Sequence, residues 1–305
     1  MVTEHRKQLD DSFFSRPDDV VSETAAAAVV EAAQARWRLP DPAAARQVRD
    51  ILATEFKDDE MPDTFWDGAS SKQFREFFLW GHDHDFGHGV TRLGAMGKRH
   101  VEITSEAIRL GFLPPDLKGQ SVLDIGCWSG GDVLVLSGMG ATVTATEEHP
   151  RSAASAARLM ALVECDATVR EMSVYRDDPA LAQGFDVVYC SGVLYHVTDP
   201  LLLLRICFCY LRPGGRLIIE TKADAESRDS VCHYSGTAIK GWNFFAPSEL
   251  ALARWFLDVG FAAGDIQVHT RSMGRFLACG VKQAAAELPE TAGFSRPGSW
   301  LEGAH

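Results

Sequence analysis

The sequence predicts an α/β fold, a mainly parallel sheet with helices on both faces, and three observations predict it. Val122, Leu123 and Ile125 form a short apolar run that reads as a buried parallel strand. Asp124 and the glycines Gly126, Gly130 and Gly131 then lead into the apolar run Asp132–Leu136. A second strand-like run, Thr142–Thr146, ends in an acid, Glu147, 23 residues past Asp124. Downstream, the apolar run from Phe185 is followed by a helix signal, a Pro-Gly-Gly break and another apolar run, Arg216–Thr221. Strands alternating with helices in this way are built as crossover units of a parallel sheet.

Taken in chain order, Asp18-Asp19 precede an alanine-rich stretch, Val20–Arg38, whose composition favours helix. Asp41-Pro42 opens a second helix through Phe56, as N-cap and N1 proline. Residues 1–65 are read as an N-terminal helical arm, with acidic, proline-containing residues 58–63 as its linker. Residues 66–120 are read as a cap facing the substrate, with a helix over His100–Leu110. The core, 121–282, begins with the strand and glycine turn. Its third strand is expected over Thr168–Val174 and its fourth from Phe185. Asp199-Pro200 starts the next helix, which runs to Leu211 and stops at Arg212-Pro-Gly-Gly215. The run Leu201–Leu204 with Ile206, Phe208 and Tyr210 reads as a buried helix, not a ligand site. Residues 222–246 lack periodicity and read as one long loop, a length that in compact domains is often functional. Ser248 opens a helix to Val259, and Ile266–His269 with Arg275–Val281 are short enough for a final antiparallel pair. Residues 283–305 read as a loose tail.

Composition bounds the function. The chain has 305 residues, 46% hydrophobic and 24% charged, with a formal charge of −12. That mix is ordinary for a soluble domain, and no apolar run reaches the ~18 residues of a membrane span. No signal-peptide pattern opens the chain, and seven cysteines without CxxC spacing suit a reducing cytoplasm, so a cytoplasmic location and no membrane partner are expected. Nucleic-acid binders usually present a basic patch. Here the densest basic spot is the short run Gly97-Lys98-Arg99-His100, which argues against a nucleic-acid partner.

The ligand-facing residues follow from the fold. An acid about 20 residues after a glycine turn, at the end of the second strand, is placed to take both hydroxyls of a ribose, and that acid is Glu147. Tyr195 and His196 fall just past the fourth strand, at the sheet end where ligands bind. His196 can act as a base near neutral pH, with Glu220 as a second candidate. His82, His84 and His88, flanked by Asp83 and Asp85, tempt a metal reading. In an extended segment, however, His82 and His84 share one face and the acids take the other, so capping or substrate contact is preferred and no metal is expected. Trp242, Phe244, Phe245 and Trp255 are candidates for an apolar substrate pocket or for packing under a lid.

The run Ser121-Val-Leu-Asp-Ile-Gly-Cys-Trp-Ser-Gly-Gly131 resembles motif I of the class I S-adenosylmethionine (SAM) methyltransferases, and "FDVV", a helix and "LRPGG" before a strand resemble the same family's fourth and fifth strands. The resemblance implies a Rossmann-like class I methyltransferase fold, with a seven-stranded, mainly parallel sheet, helices on both faces and the N-terminal arm in addition. It implies SAM as cofactor and S-adenosylhomocysteine (SAH) as product. Asp124, Gly126, Cys127, Trp128 and Gly130 are then expected at the cofactor's methionine part, Glu147 at the ribose, Val174 and Tyr175 at the adenine, and Ser191 beside them. Val193-Leu-Tyr-His196, Trp242–Ser248, Trp80–Gly87 and Trp128 resemble the tRNA wobble-uridine carboxymethyltransferase branch, over roughly residues 75–280. With position and resemblance taken together, Tyr195, His196 and Glu220 are the catalytic candidates, and Trp80, His82, His84, Trp242 and Phe245 the substrate-binding ones.

The expected function is methyl transfer to a small-molecule acceptor, of the kind found in specialised metabolism, with a homo-oligomer through the N-terminal helices as a possible assembly. Two alternatives stand beside it: carboxymethyl transfer from carboxy-SAM to a tRNA wobble uridine, and a non-catalytic SAM-binding regulator. For the extra carboxylate of carboxy-SAM the chain offers Lys98, Arg99, Arg271 and Arg275, in positions the sequence does not align.

Overall fold

A computed structural model of the chain describes residues 13–60, 77–176, 178–235, 243–284 and 286. Two N-terminal helices, α1 (Glu23–Ala35) and α2 (Pro42–Glu55), start on side-chain caps: Ser22 accepts from Ala25 N–H, and Asp41 from Ala43 and Ala44 N–H. A two-stranded ribbon, β1 (His84–Asp85) with β2 (Thr91–Arg92), precedes α3 (Arg99–Arg109). Then come β3 (Ser121–Ile125), α4 (Gly131–Gly138), β4 (Thr142–Glu147), α5 (Pro150–Leu162), β5 (Thr168–Glu171), β6 (Phe185–Ser191), α6 (Pro200–Tyr210) and β7 (Leu211–Lys222). The chain closes with a ribbon of β8 (Cys232–Tyr234) and β9 (Phe245–Pro247), α7 (Glu249–Asp258), β10 (Ile266–Arg271) and β11 (Arg275–Val281).

The main sheet has seven strands in the order β10-β11-β7-β6-β3-β4-β5. Strands β7, β6, β3, β4 and β5 run parallel, and β11 lies antiparallel between β7 and β10. Chain order reverses between β3 and β6, which opens a crevice at the carboxyl ends of the strands, where such sheets take ligands. One apolar core joins α1 to α5 with one face of the sheet; a second joins α6 and α7 with the other. The outer edge of β10 is covered: Ser15 N–H donates to Ile266 O, Val268 N–H donates to Ser15 O, and Gly264 N–H donates to Phe13 O.

The N-terminal helices belong to that core. Ala26, Val30 and Ala33 of α1 are buried, Trp37 Nε1–H donates to Leu134 O at 2.7 Å, and Arg36 donates to Gly138 O at 2.9 Å. Gly138 is small because a Cβ there would lie 2.3 Å from Ala33 O. The arm expected from sequence is thus packed onto α4, with its apolar stripe facing inward.

Four element readings change. The third strand ends at Glu171, three residues early, where β4 also ends at Glu147; Met172 N–H to Glu147 O is the last bond of their parallel pairing. Helix α5 was not anticipated; His149 caps it by accepting from Ser152 N–H, and Pro150 takes N1. Strand β7 absorbs Arg212-Pro-Gly-Gly215, with Gly214 at φ +82° carrying the turn. The long loop contains β8 and β9, paired Cys232 to Pro247 through Tyr234 to Phe245. Helix α6 is buried along its length, and Lys282 Nζ–H donates to Phe208 O and Leu211 O at its C-terminus. No described helix is long and apolar enough to cross a membrane, and all seven cysteines are free.

Candidate active site

A cavity of ≈ 880 Å³ lies across the carboxyl ends of the strands. Its β3–β5 half is lined by Gly126, Trp128, Glu147, Glu148, Val174 and Tyr175; its β7–β11 half by Tyr195, Glu220, Lys222 and Arg275. Residues of the 77–103 stretch and Asn243 with Phe244 complete the wall.

Gly126 takes φ +76°, where a Cβ would lie 2.4 Å from Val193 Cγ2 on the cavity wall. Trp128 also takes a left-handed backbone, φ +48°, uncommon for a bulky side chain. It is held there by bonds at both ends: its N–H donates to Glu147 Oε2 at 2.9 Å, and its ring Nε1–H donates to Leu79 O at 2.9 Å. The neighbouring Ser129 Oγ accepts from Gly81 N–H and His82 N–H, so the segment before α3 is stitched onto the glycine turn.

Glu147 Oε1 also accepts from His149 N–H at 2.8 Å. Each oxygen keeps a lone pair for a ligand hydroxyl. Burial raises the Glu147 carboxyl, and the two N–H donors oppose that rise. Beneath the turn, Asp124 is buried with Oδ2 unpartnered. Its carboxyl is pushed well above the usual range by burial first, then by Asp132 and Glu147. Asp132, bonded to Thr104 at 3.2 Å, is raised to about 7, chiefly by burial.

At the other end, Glu220 is 1% exposed and gripped by two guanidiniums. Arg275 donates through Nε and, at 2.5 Å, through Nη2; Arg271 donates at 3.2 Å and also holds Glu106. Glu106, further bonded to His269 at 3.0 Å, is held down to about 2: these partners outweigh its desolvation by burial, which alone would raise it. The Arg275 guanidinium lies 4.8 Å from the Tyr195 ring centre and Lys222 Nζ 5.6 Å from it. Tyr195 and His196 pack with ring centres 3.9 Å apart, and Tyr195 O accepts from Phe244 N–H at 2.7 Å, which ties the 243–247 stretch over the site.

The structure brings Gly126, Trp128, Glu147, Val174, Tyr175, Ser191, Tyr195, His196, Glu220 and His82 to one cavity. Several expected contacts do not lie on its wall. Asp124, Cys127 and Gly130 sit below it: the Cys127 thiol is buried, and Gly130 is spaced for Met160 and Ala156 of α5. Trp80, expected at the substrate, is 1% exposed and packs edge-on against His84 in the core. His84 is likewise buried, beside a separate small cavity with Trp37, His100 and Leu134. Phe245 packs on Tyr234 within the ribbon, and Phe244 takes the wall position instead. Glu220 is unsuited to act as a base, since both its oxygens are held by arginine. Trp242 lies outside the described residues. Among the described residues no group of three or more His, Cys, Asp or Glu could hold a metal. Arg99, named from sequence only for the extra carboxylate of the alternative donor, lies on the wall, and so does Lys222, which was not picked out: a basic residue at a strand end is too common a signal to read without the fold.

The residues present fit a nucleoside with a charged tail: a ribose-ready acid, a glycine turn with no room for a side chain and an unpartnered buried carboxyl oxygen beneath it. Comparison with known proteins agrees. A family model described as a methyltransferase domain matches residues 98–264. A tRNA U34 carboxymethyltransferase of Saccharophagus degradans is 32% identical over 148 residues, 48% of this chain and 46% of its own. A ubiquinone biosynthesis O-methyltransferase of Marinobacter nauticus is 32% identical over 147 residues, 43% of this chain and 60% of its own. A ubiquinone biosynthesis O-methyltransferase of Xanthomonas campestris pv. campestris is 31% identical over 192 residues, 54% of this chain and 77% of its own. The chain therefore spans about half the length of the first two of these relatives. Among solved structures, the N-terminal domain of EvdMO1, determined in the presence of SAH and D-fucose, matches the fold with a TM-score of 0.54 at 16% identity. The match covers 78% of this chain and 97% of that one.

Proposed function

The chain belongs to the methyltransferase-domain family and has its class I fold, and from that premise we propose that it is a SAM-dependent enzyme methylating a small-molecule acceptor. The observation that carries this reading is the single cavity running from Glu147 to Arg275. At ≈ 880 Å³ it is near the top of the range of roughly 300–1,000 Å³ for small-molecule sites, which suits a donor and a compact acceptor together.

SAM, when bound, supplies a methyl group on a positively charged sulfur that is already activated for displacement. Glu147 holds the ribose, and the turn at Gly126 lets the backbone approach the donor closely. The stitched 77–82 segment and the 243–244 stretch keep water from the reacting atoms. His196, beside Tyr195 on the wall, takes the acceptor's proton at a ring nitrogen where the attacking atom carries one. Glu220 instead fixes Arg275 and Arg271.

Two features favour this reading over carboxymethylation of tRNA. The formal charge is −12, whereas tRNA binding relies on a basic surface. Arg275 is engaged at two points by Glu220, which leaves it little capacity for a carboxylate on the donor. The test is calorimetry with SAM and carboxy-SAM, together with a gel shift against bulk tRNA across a salt series. SAM should bind more tightly, with no saturable tRNA binding at micromolar protein. Tight, salt-sensitive tRNA binding with a preference for carboxy-SAM would promote the other reading. Single-turnover methyl transfer to any acceptor excludes a purely regulatory role.

A further inference from the structure

Arg99 is the first residue of α3, and its side chain lines the cavity half-buried. Among the described residues its guanidinium makes no hydrogen bond or ion pair, unlike its neighbours. Arg275 is held twice by Glu220, and Arg271 is shared between Glu220 and Glu106. Lys222 Nζ lies over the Tyr195 ring on the same wall. The acids nearby are spent. Glu220 carries two arginines, Glu106 is bonded to Arg271, Arg109 and His269, and Asp132, raised to about 7 and bonded to Thr104, carries only part of a charge at neutral pH. Burial lowers Arg99 from its ordinary value and Arg275 lowers it further; Glu220, already bonded to Arg275 and Arg271, offsets this only in part, so the cation is held here at a net cost. The same cavity wall also carries the apolar side chains of Ile103, one turn along α3 from Arg99, and of Phe77 and Phe244.

We infer that Arg99, with Lys222 as the second cation, seats a carboxylate on the acceptor, and that the acceptor is a small acid whose apolar or aromatic body packs against Ile103 and Phe244. The assignment rests on the proposed methyltransferase function and names the acceptor's chemical class. A guanidinium suits it because its planar fork matches both oxygens of a carboxylate, and because a half-buried pair is screened less than a surface one. Arg99 is a binding residue here; the proton still leaves through His196.

The probe is benzoate, with benzamide as its neutral counterpart of similar shape, titrated calorimetrically into SAH-loaded protein. Benzoate should bind about tenfold or more tightly than benzamide, the order expected of one charge-assisted hydrogen bond. Arg99→Gln should abolish that preference while changing SAH affinity by less than about twofold. Arg99→Lys keeps the charge but loses the fork and should retain an intermediate preference, which separates recognition from a folding defect. Equal binding of benzoate and benzamide, or an unchanged preference in Arg99→Gln, overturns the assignment. So does a wild-type preference for carboxy-SAM over SAM that disappears in Arg99→Gln, since the carboxylate would then belong to the donor. Failure of SAH to bind wild-type protein would strike at the methyltransferase reading instead, and benzoate titrated alone would still decide Arg99.

Discussion

The backbone at Trp128 is held left-handed by one bond to Glu147 and one to Leu79, so the acid read as the ribose ligand also shapes the turn that faces it. Glu147→Ala removes the acceptor for two ribose hydroxyls and for Trp128 and His149 N–H together. SAM affinity should fall by about 1–3 kcal/mol, read by calorimetry. Unchanged affinity would move the ribose contact to Glu148, which also lines the cavity. At Gly126 any Cβ meets the stiff, β-branched Val193, and the backbone lies where only glycine is unstrained. Gly126→Val is expected to abolish SAM binding in a protein whose circular dichroism is otherwise retained; a folded variant with normal affinity would remove this turn from the cofactor site.

At the scale of elements, α1 and α4 meet with no space to spare. Gly138→Ala places a methyl 2.3 Å from a backbone oxygen of α1, which cannot swing aside as a side chain could. Denaturant unfolding should show a loss of about 1–3 kcal/mol, with SAM affinity little changed because the contact is remote from the cavity. No loss would mean that α1 docks elsewhere. Elements whose signal is local were legible in the sequence: β3 by its apolar run and glycine turn, α2 and α6 by Asp-Pro starts, β10 and β11 by their brevity and spacing. The ribbon of β8 and β9 was not, because its three-residue strands pair across a gap and carry no periodicity of their own. The site divides similarly. Glu147, Tyr195 and His196 sit at strand ends, where position alone implies function. Trp80 and Phe245 are aromatics near the site, and only tertiary packing separates core from wall. Arg99 was visible as part of a short basic run, but its neighbours' engagement with Glu220 and Glu106, 121 and 7 residues along the chain, is a property of the fold.

For the molecule as a whole, acid should unfold it through its buried imidazoles. His84 is brought down to about 3 and His100 to about 4, chiefly by burial, and His82 well below its ordinary value for the same reason. A base whose folded pKa is depressed adds stability that is present above the unfolded value of about 6.5 and is lost as pH falls towards the folded one. Asp132, raised to about 7, works in the opposite sense, since its stabilising proton is lost as pH rises through that value. Asp124 and Glu147, also raised, act in the same sense as Asp132, while Glu106, held down to about 2, joins the histidines in losing stability as pH falls. Replacing His84 with phenylalanine should flatten the decline of unfolding free energy by ~1.4 kcal/mol per pH unit between about pH 6 and 4, as one proton is removed from the linkage. An unaltered slope, measured by urea unfolding across that range, would show that His84 takes up its proton in the folded state. The strip of chain at Phe13 to Ser15 has a different consequence for the whole molecule. Strand β10 ends the sheet, and its amides and carbonyls would otherwise be open to any extended chain that drifted alongside. The molecule therefore carries its own guard against polymerisation, and trimming it through Ser15 should leave the donor site intact while light scattering reveals sheet-to-sheet association on warming.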